Sequence, residues 1–137
     1  MPALHPRPEQ QKAFIEDTHD GPIVMVNLLK FRDQAAYGEG DPEFGEAISG
    51  ADAYARYGAE VVKLSADPDI GVQFIFLGQA KRSVIGDGDW DSVALAKYPS
   101  RMHMARMLAD ARYQAALRHR TAGLLHQDLI ETLASLS

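Results

Sequence analysis

The nine residues Ile23–Phe31 (IVMVNLLKF) constrain the fold of this chain more than any other segment. Hydrophobic side chains stand at nearly every position of this run rather than at alternate positions, a pattern typical of a β-strand that is covered on both faces. The helices of one protomer cover only one face of a sheet. The other face would remain a large exposed apolar patch, which monomers rarely carry. The run therefore predicts a homodimer that forms through the sheet face.

Capping residues and hydrophobic periodicity divide the rest of the chain into helices and strands. The turn sequence GDGD at residues 86–89 joins two alternating apolar runs into a hairpin. The predicted elements, in chain order, are a short helix over residues 8–17, the strand over residues 23–31, a helix from Ser49 or Asp52 to about residue 65, strands over residues 70–85 (bent near Gly78) and 90–98, a helix capped by Ser100, a second helical segment from Asp110 with Gly123 as its C′ residue, and a last strand over residues 124–133. This βαββαβ order, with an N-terminal helical extension (residues 1–21) and a split second helix, predicts one α+β domain over residues 1–137 with a ferredoxin-like fold and an antiparallel sheet.

Composition and charge exclude several functional classes. The net charge of −5, from 14 basic and 19 acidic residues, argues against a nucleic-acid partner, which requires a basic surface. The chain has no cysteine, so disulfides, thiolate catalysis and thiolate metal sites are excluded. No stretch approaches the roughly 18 apolar residues of a membrane span, and the first ten residues lack the apolar core of a secretory signal. We therefore expect a cytoplasmic protein with no membrane partner.

Residues 32–50 form a long polar segment between the first strand and the second helix. Its four glycines and five acidic side chains offer little to bury, and loops of this length are often functional or mobile. We expect this loop to be more mobile than the strands. Two interpretations stay open for it, a lid over a pocket and a surface insertion.

Two polar residues lie on otherwise apolar faces and are candidate ligand contacts. Asn27 is a lone amide in the first strand, and burying it without partners would cost roughly 1–3 kcal/mol, so either backbone groups or a ligand must bond it. Arg120 continues the apolar stripe of Tyr113, Ala116 and Leu117 at helical spacing, so its stem leaves from the core-facing side. An inward guanidinium requires a carboxylate, a carbonyl or an anionic ligand. An internal ion pair, a helix-end contact and a ligand role are all compatible with this position.

Aromatic and histidine side chains supply weaker candidates. Trp90 and Tyr98 have matching parity on one predicted strand, and they are either core residues or the polar-tipped edge of a cavity for a phenolic or enolic ligand. His103 lies at the start of a predicted helix. It is either a general base or a solvent-exposed surface residue. The methionines of that helix indicate a core stripe or an adaptable apolar pocket. None of the five histidines forms an HxH or HxxxH pair, so we expect no metal site, no haem and no other cofactor.

Four segments of the chain resemble a known family. They are PIVMVNLLKFR (residues 22–32), SGADAYARYG (49–58), SVIGDGDWDSVALAKYPSR (83–101) and ADARYQAALRHRTAGL (109–124). The chain resembles the domain of unknown function 1330 family of the dimeric α+β barrel superfamily, and it departs from that family's Asp-Pro-x-Tyr pattern at Ala111. The resemblance implies a ferredoxin-like fold and a sheet-to-sheet dimer, but no reaction. Related families include cofactor-free monooxygenases, chlorite dismutase-like haem enzymes and muconolactone isomerase-like enzymes, an analogy of fold alone.

The sequence leaves two functional hypotheses. In the first, the domain binds a small, largely apolar molecule of acidic or phenolic character and, as a cofactor-free enzyme, converts it. Asn27 and Arg120 would then stabilise negative charge, and Tyr98 or His103 would move a proton beside Trp90. In the second, the polar residues satisfy one another in a non-catalytic structural or ligand-sensing homodimer. An open pocket that Asn27 and Arg120 both face would favour the first hypothesis, and a closed pocket with both residues bonded to protein would favour the second.

Overall fold

The computed structural model describes residues 3–134; the outermost ends of the predicted domain, residues 1–2 and 135–137, lie outside them. The elements are α1 (Pro8–Glu16), β1 (Ile23–Phe31), α2 (Gly50–Leu64), β2 (Gln73–Gln79), β3 (Ser92–Tyr98), α3 (Arg101–Ala109), α4 (Ala111–Gly123) and β4 (Leu124–Thr132). The strands form one antiparallel sheet in the order β2-β3-β1-β4. This arrangement confirms the predicted ferredoxin-like α+β fold, with its N-terminal helix and its split second helix.

Polar caps set the starts of three helices where the sequence predicts them. The Ser49 hydroxyl accepts a hydrogen bond from the Asp52 amide at 3.0 Å and begins α2. The Ser100 hydroxyl and the Asp110 carboxylate begin α3 and α4 in the same way. No side chain of helix α1 is fully buried, although Phe14 packs against the core.

The two faces of the sheet have different surroundings. The odd-numbered residues of β1 face the helices, and Ile23, Met25 and Leu29 are buried there. The core beneath them includes residues of α2, α3 and α4. The even-numbered residues of β1 point to the opposite face, which no helix of the described chain covers. This open face is formed by Val26, Leu28, Phe76, Val93, Leu95 and Ile130, together with more polar side chains at its rim.

Strands β2 and β3 are shorter than predicted. The run at residues 70–85 forms a strand only over Gln73–Gln79, with a bulge between Phe74 and Phe76 and no break at Gly78. Beyond it the chain leaves the sheet, and Ile85 is 95% exposed. Strand β3 begins at Ser92, so Trp90 lies outside it. Alternating hydrophobicity predicts a strand, but it does not show where the partner strand ends. For this reason β2 and β3 are both shorter than predicted.

The loop between β1 and α2 packs along α4. Tyr37 is only 7% exposed, and the Ala36 amide donates to the Ala122 carbonyl at 2.9 Å. The Tyr37 hydroxyl lies 2.6 Å from His119 Nδ1. His119 itself is buried, although helical spacing places it on a different side of α4 from Arg120.

Ion pairs fasten the rest of this loop. The Glu43 carboxylate accepts two hydrogen bonds from Arg118, at 2.8 and 3.0 Å, and Glu46 accepts two from Arg56, at 2.6 and 3.1 Å. The expectation that the loop has little to bury is therefore wrong. We still predict that the backbone amides of this loop exchange hydrogen faster than those of β1.

Acid pH is expected to loosen this contact between the loop and α4. Burial lowers the pKa of His119, so the folded protein binds fewer protons there than the unfolded chain. The resulting stability is present above about pH 6.5, the ordinary pKa of histidine, and is lost as pH falls through the lower folded value. Hydrogen bonds from Arg118 lower the pKa of Glu43 to about 2, which adds a second loss below about pH 4.5.

Thermal melts between pH 7.5 and 5.0 measure the histidine contribution. We expect the melting temperature of the parent to fall more steeply with acidification than that of His119→Gln, which does not titrate. Equal slopes in the two proteins would contradict a buried neutral His119.

Two glycines allow α2 and α4 to approach each other closely. A Cβ atom on Gly50 would lie 2.2 Å from the Arg32 carbonyl oxygen, and one on Gly123 would lie 2.5 Å from the Gly50 oxygen. Gly123 is the last residue of α4 rather than a C′ residue, and it is not among the glycines with positive φ. The close approach, and not a left-handed cap, accounts for it.

No helix among residues 3–134 is long and apolar enough to cross a membrane.

Candidate functional site

A cavity of about 1040 Å³ lies between α2 and the helix-facing side of the sheet. Its α2 wall is formed by one face of that helix, which carries Tyr54, Tyr57, Gly58 and Val61. The sheet contributes residues of β1, β2 and β3, including Asn27, Phe31, Phe74, Leu77, Ala94, Ala96 and Tyr98. Most of these side chains are apolar, as is usual for a small-molecule site.

Three aromatic side chains form one side of the cavity, and we call Phe31, Tyr54 and Tyr57 the aromatic wall. The ring centroids of Phe31 and Tyr54 are 5.4 Å apart, and those of Tyr54 and Tyr57 are 5.2 Å apart. Burial raises the pKa of Tyr54 and of Tyr57. Both phenols therefore stay neutral near pH 7 and can donate hydrogen bonds.

The hydroxyls around the cavity differ in what they bond. Tyr57 shares a 2.9 Å hydrogen bond with Tyr113, and the Tyr98 hydroxyl donates to the Met107 sulfur at 3.9 Å. The Tyr54 hydroxyl has no such contact within the described part of the chain. It is thus the phenol that is free to bond a molecule in the cavity.

A chain of hydrogen bonds connects the cavity to α4. Arg120 donates to the Gln127 side-chain oxygen at 2.6 Å and to the Leu4 carbonyl at 2.7 Å. Gln127 is buried, and its Nε2 donates to Asn27 Oδ1 at 2.8 Å. We call these three side chains, Arg120, Gln127 and Asn27, the relay.

The relay fixes the orientation of the amide of Asn27, a side chain that lines the cavity. Arginine has only donors, so the Gln127 oxygen must face Arg120 and its nitrogen must face Asn27. Asn27 Oδ1 is therefore engaged, and its NH₂ group points the other way. That group reaches only two backbone carbonyls, those of Met25 and Ala94, both at 3.3 Å. Because both contacts are long, a ligand oxygen would be a better acceptor.

Arg32 is a second polar feature of the cavity lining. Its Nε atom is buried and has no hydrogen-bond partner in residues 3–134, and its guanidinium makes no ion pair there. By contrast, Arg56, Arg112 and Arg118 each pair with a carboxylate. Arg32 thus brings to the cavity lining a positive charge that makes no direct ion pair with residues 3–134.

Comparison with solved structures places the chain among known proteins. It is 31% identical to the RPA0582 protein from Rhodopseudomonas palustris, described as a protein of unknown function, with a TM-score of 0.82 and 96% of each chain covered. The methylated RPA0582 protein matches at 33% identity and a TM-score of 0.84, covering 100% of this chain and 98% of that one. The chain belongs to the same family as RPA0582.

A more distant match concerns the fold alone. It is a dimeric protein of unknown function and ferredoxin-like fold from Bacteroides fragilis NCTC 9343, 12% identical, with a TM-score of 0.54 and coverage of 82% of this chain and 95% of that one. No family model and no curated protein matches the chain.

The structure brings some of the predicted site residues together and separates others. Asn27 and Tyr98 line the cavity, whereas Arg120 reaches it only through Gln127. Trp90 packs against another residue instead, with its ring 5.1 Å from that of His126.

His103 also lies apart from the cavity lining. Its Nδ1 is 2.7 Å from the Ser100 hydroxyl, at the start of α3. Among residues 3–134, no group of three or more His, Asp or Glu side chains is arranged to hold a metal ion.

Sequence reasoning missed Arg32, Tyr54 and Gln127 as site residues. The sequence could have indicated Tyr54, because it shares a helix face with Tyr57. Arg32 was instead interpreted as the first residue of a polar loop. No sequence pattern indicates Gln127, since a lone amide in an edge strand is ordinarily solvated. Its partner Arg120 reaches it from a different element.

Proposed function

We propose that this protein binds a small, largely apolar molecule in the cavity and holds an acceptor oxygen of that molecule with the Asn27 amide. The observation that carries the proposal is the direction of that amide. The relay engages Asn27 Oδ1, and the NH₂ group of this cavity-lining residue makes only two long contacts, both with backbone carbonyls. The apolar lining and the free Tyr54 hydroxyl support the same conclusion.

The structural alternative accounts for part of the geometry, because Asn27 and Arg120 both have protein partners, but it does not account for the open cavity. Protein atoms satisfy Arg120, so we assign it to orienting Gln127 rather than to direct ligand contact. Conversion of the ligand has less support than binding. The tyrosines in the cavity have raised pKa values and are poor bases, and His103 does not line it.

Binding to the cavity can be tested with 2-acetonaphthone, an apolar probe whose only polar atom is a carbonyl oxygen. We expect calorimetry to detect binding to the parent. A concentration near 100 times the dissociation constant should stabilise the fold by about 2.7 kcal/mol. Gly58→Leu should abolish binding without unfolding the protein, because Gly58 lines the cavity, a Cβ there meets open space, and leucine favours a helix.

The matched control is Gly40→Leu, a glycine in the β1–α2 loop where a Cβ likewise has no neighbour. Binding that survives Gly58→Leu, or that Gly40→Leu weakens equally, would place the probe outside the cavity. Failure of the parent to bind this probe and a panel of small phenols and acids would favour the structural alternative.

We also propose that the protein is a homodimer that pairs through the open face. Phe76 is 52% exposed and Ile130 is 46% exposed on this face, and the distant structural relative is described as dimeric. An interface of this kind should bury on the order of 2,000 Å² in total. We expect Val26→Lys, at the centre of the face, to give monomers in sedimentation experiments, while Lys97→Ala at its rim leaves dimers. A parent that is monomeric at micromolar concentration would overturn this proposal.

We further propose that the chain is a member of the domain of unknown function 1330 family and that the protein is cytoplasmic. The four resembling segments support the family, because they include β1, the first turns of α2, β3 and α4. Detection of the chain in a fractionated cell tests the location.

A further inference from the structure

We propose that the natural ligand is an amphipathic monocarboxylate whose carboxylate is held by Arg32, an inference that rests on the proposed function of the cavity. The apolar body of the ligand would lie against the aromatic wall. The assignment differs from the sequence-based one, in which Arg120 meets the acid. The Arg120 guanidinium already has partners, whereas Arg32 Nε has none among residues 3–134.

The backbone holds Arg32 rigidly at the end of the cavity. Its amide donates to the Gly123 carbonyl at 2.8 Å, and its carbonyl accepts from the Gly50 amide at 3.1 Å. The two glycines that permit the close approach of α2 and α4 therefore also clamp this residue. Because the backbone of Arg32 is fixed, this residue loses less conformational freedom when its guanidinium binds a ligand.

The surroundings of the Arg32 side chain indicate an anion. Its Nε is buried without a hydrogen-bond partner in residues 3–134, which is costly for a charged donor. A guanidinium can donate two parallel hydrogen bonds to a carboxylate. A bound carboxylate would thus give Arg32 the ion pair that residues 3–134 do not supply.

The charges of the cavity lining argue against a dianionic ligand. Arg32 is the one arginine or lysine in the lining, which also contains two acidic residues, Asp33 and Asp91. Asp91 is partly engaged by Lys30 and the Phe31 amide. One guanidinium can balance a carboxylate, whereas a phosphate dianion would leave a negative charge in a mostly apolar space.

The aromatic wall adjoins this cation and suits the ligand body. Phe31 is the neighbour of Arg32 in the chain, and its ring packs on Tyr54. The free Tyr54 hydroxyl supplies a neutral donor beside that apolar surface. A flat ring that bears a carboxylate fits this combination of charge and surface.

Calorimetric titration with three probes of similar shape tests the inference. The probes are 2-naphthoate, its neutral counterpart 2-acetonaphthone and the dianion 2-naphthyl phosphate. We expect naphthoate to bind the parent about 10- to 100-fold more tightly than the ketone, the range expected of a charge-assisted hydrogen bond, and the phosphate to bind less tightly than naphthoate.

Arg32→Met should weaken naphthoate binding much more than ketone binding and so remove most of that preference, and Arg32→Lys should keep part of the preference. The control is Arg82→Met, which makes the same change of charge at an exposed arginine away from the cavity lining. Thermal melts without probe should show Arg32→Met to be as stable as the parent, because no protein partner is lost.

The outcomes separate this inference from the proposed function. If the ketone binds and naphthoate is no tighter, or if Arg82→Met weakens naphthoate as much as Arg32→Met does, the carboxylate assignment is overturned while the cavity remains a binding site. Tighter binding of the phosphate would overturn the choice of a monoanion. If neither neutral nor charged probe binds, both proposals fail together.

Discussion

Gly50→Ala is expected to destabilise the protein by about 3 kcal/mol or more. The added Cβ would lie 2.2 Å from the Arg32 oxygen, 2.8 Å from the Arg32 nitrogen and 2.7 Å from the Gly123 oxygen. These are backbone atoms, so no side chain can rotate away to relieve the overlap. Instead α2, α4 and the end of β1 must separate, which costs more than ordinary overpacking of a core.

Gly58→Ala is the matched control on the same helix. A Cβ at Gly58 has no heavy atom within 4 Å, so alanine should stabilise α2 by up to about 1 kcal/mol through its higher helix propensity. Urea unfolding of the parent and both variants measures the difference. A Gly50→Ala protein as stable as the Gly58→Ala protein would disprove the close contact.

The double variant Gly50→Ala/Gly123→Ala adds a further check. Each glycine faces the backbone of the other, so the first alanine should already separate the helices. The second should then cost less than it does alone. Additive losses would mean that the two positions are independent.

Gln127→Leu should cost about 2–4 kcal/mol, since it removes the middle of the relay. Arg120 would keep one hydrogen bond, to the Leu4 carbonyl, and Asn27 Oδ1 would lose its donor. Leaving a partly buried charge and a buried acceptor with too few partners accounts for the size of this loss. Gln11→Leu, at an exposed position of α1, should change stability by less than about 0.5 kcal/mol.

Adding Arg120→Met to Gln127→Leu should recover much of the stability, because the charge that lacks partners is then removed. Arg120→Met alone should cost less than the 3–5 kcal/mol typical of a broken buried ion pair, as its partners are neutral oxygens. A double variant that is less stable than Gln127→Leu would contradict this account of the relay.

Gln127→Glu tests the direction of the Asn27 amide with almost no change of shape. Glutamate offers only acceptors to its neighbours, so Asn27 would have to turn its NH₂ group toward residue 127. Its oxygen would then face the cavity. We expect a shifted NMR signal for the Asn27 side-chain amide and weaker binding of 2-acetonaphthone. An unchanged signal would mean that the relay does not orient Asn27.

The candidate site was only partly predictable from the sequence. Asn27 was identified because a polar group inside an apolar strand must find a partner, and Tyr98 as an aromatic side chain with a polar tip; both line the cavity. Arg120 was correctly placed on the inner side of α4, but its nearest acceptors, Gln127 and Leu4, come from two other parts of the chain. Helical spacing gives the direction of a side chain and says nothing of what it meets.

Local rules were enough for the fold. The β1 run, the Ser49, Ser100 and Asp110 caps and the alternation around β3 depend on neighbours in sequence, and they determined the element order and the antiparallel sheet. Strand ends were less predictable, because they depend on the partner strand, and β2 is shorter than its apolar run.

Tertiary structure alone decided where the unpaired charge lies. Arg32 and Arg118 look alike in the sequence, as basic residues next to polar segments, but Arg118 meets Glu43 from the β1–α2 loop. Arg32 is held by Gly50 and Gly123, glycines far from it in sequence, and it lines the cavity without an ion pair to a carboxylate of residues 3–134. Electrostatic pairing depends on distance in space, and the sequence by itself does not contain that distance.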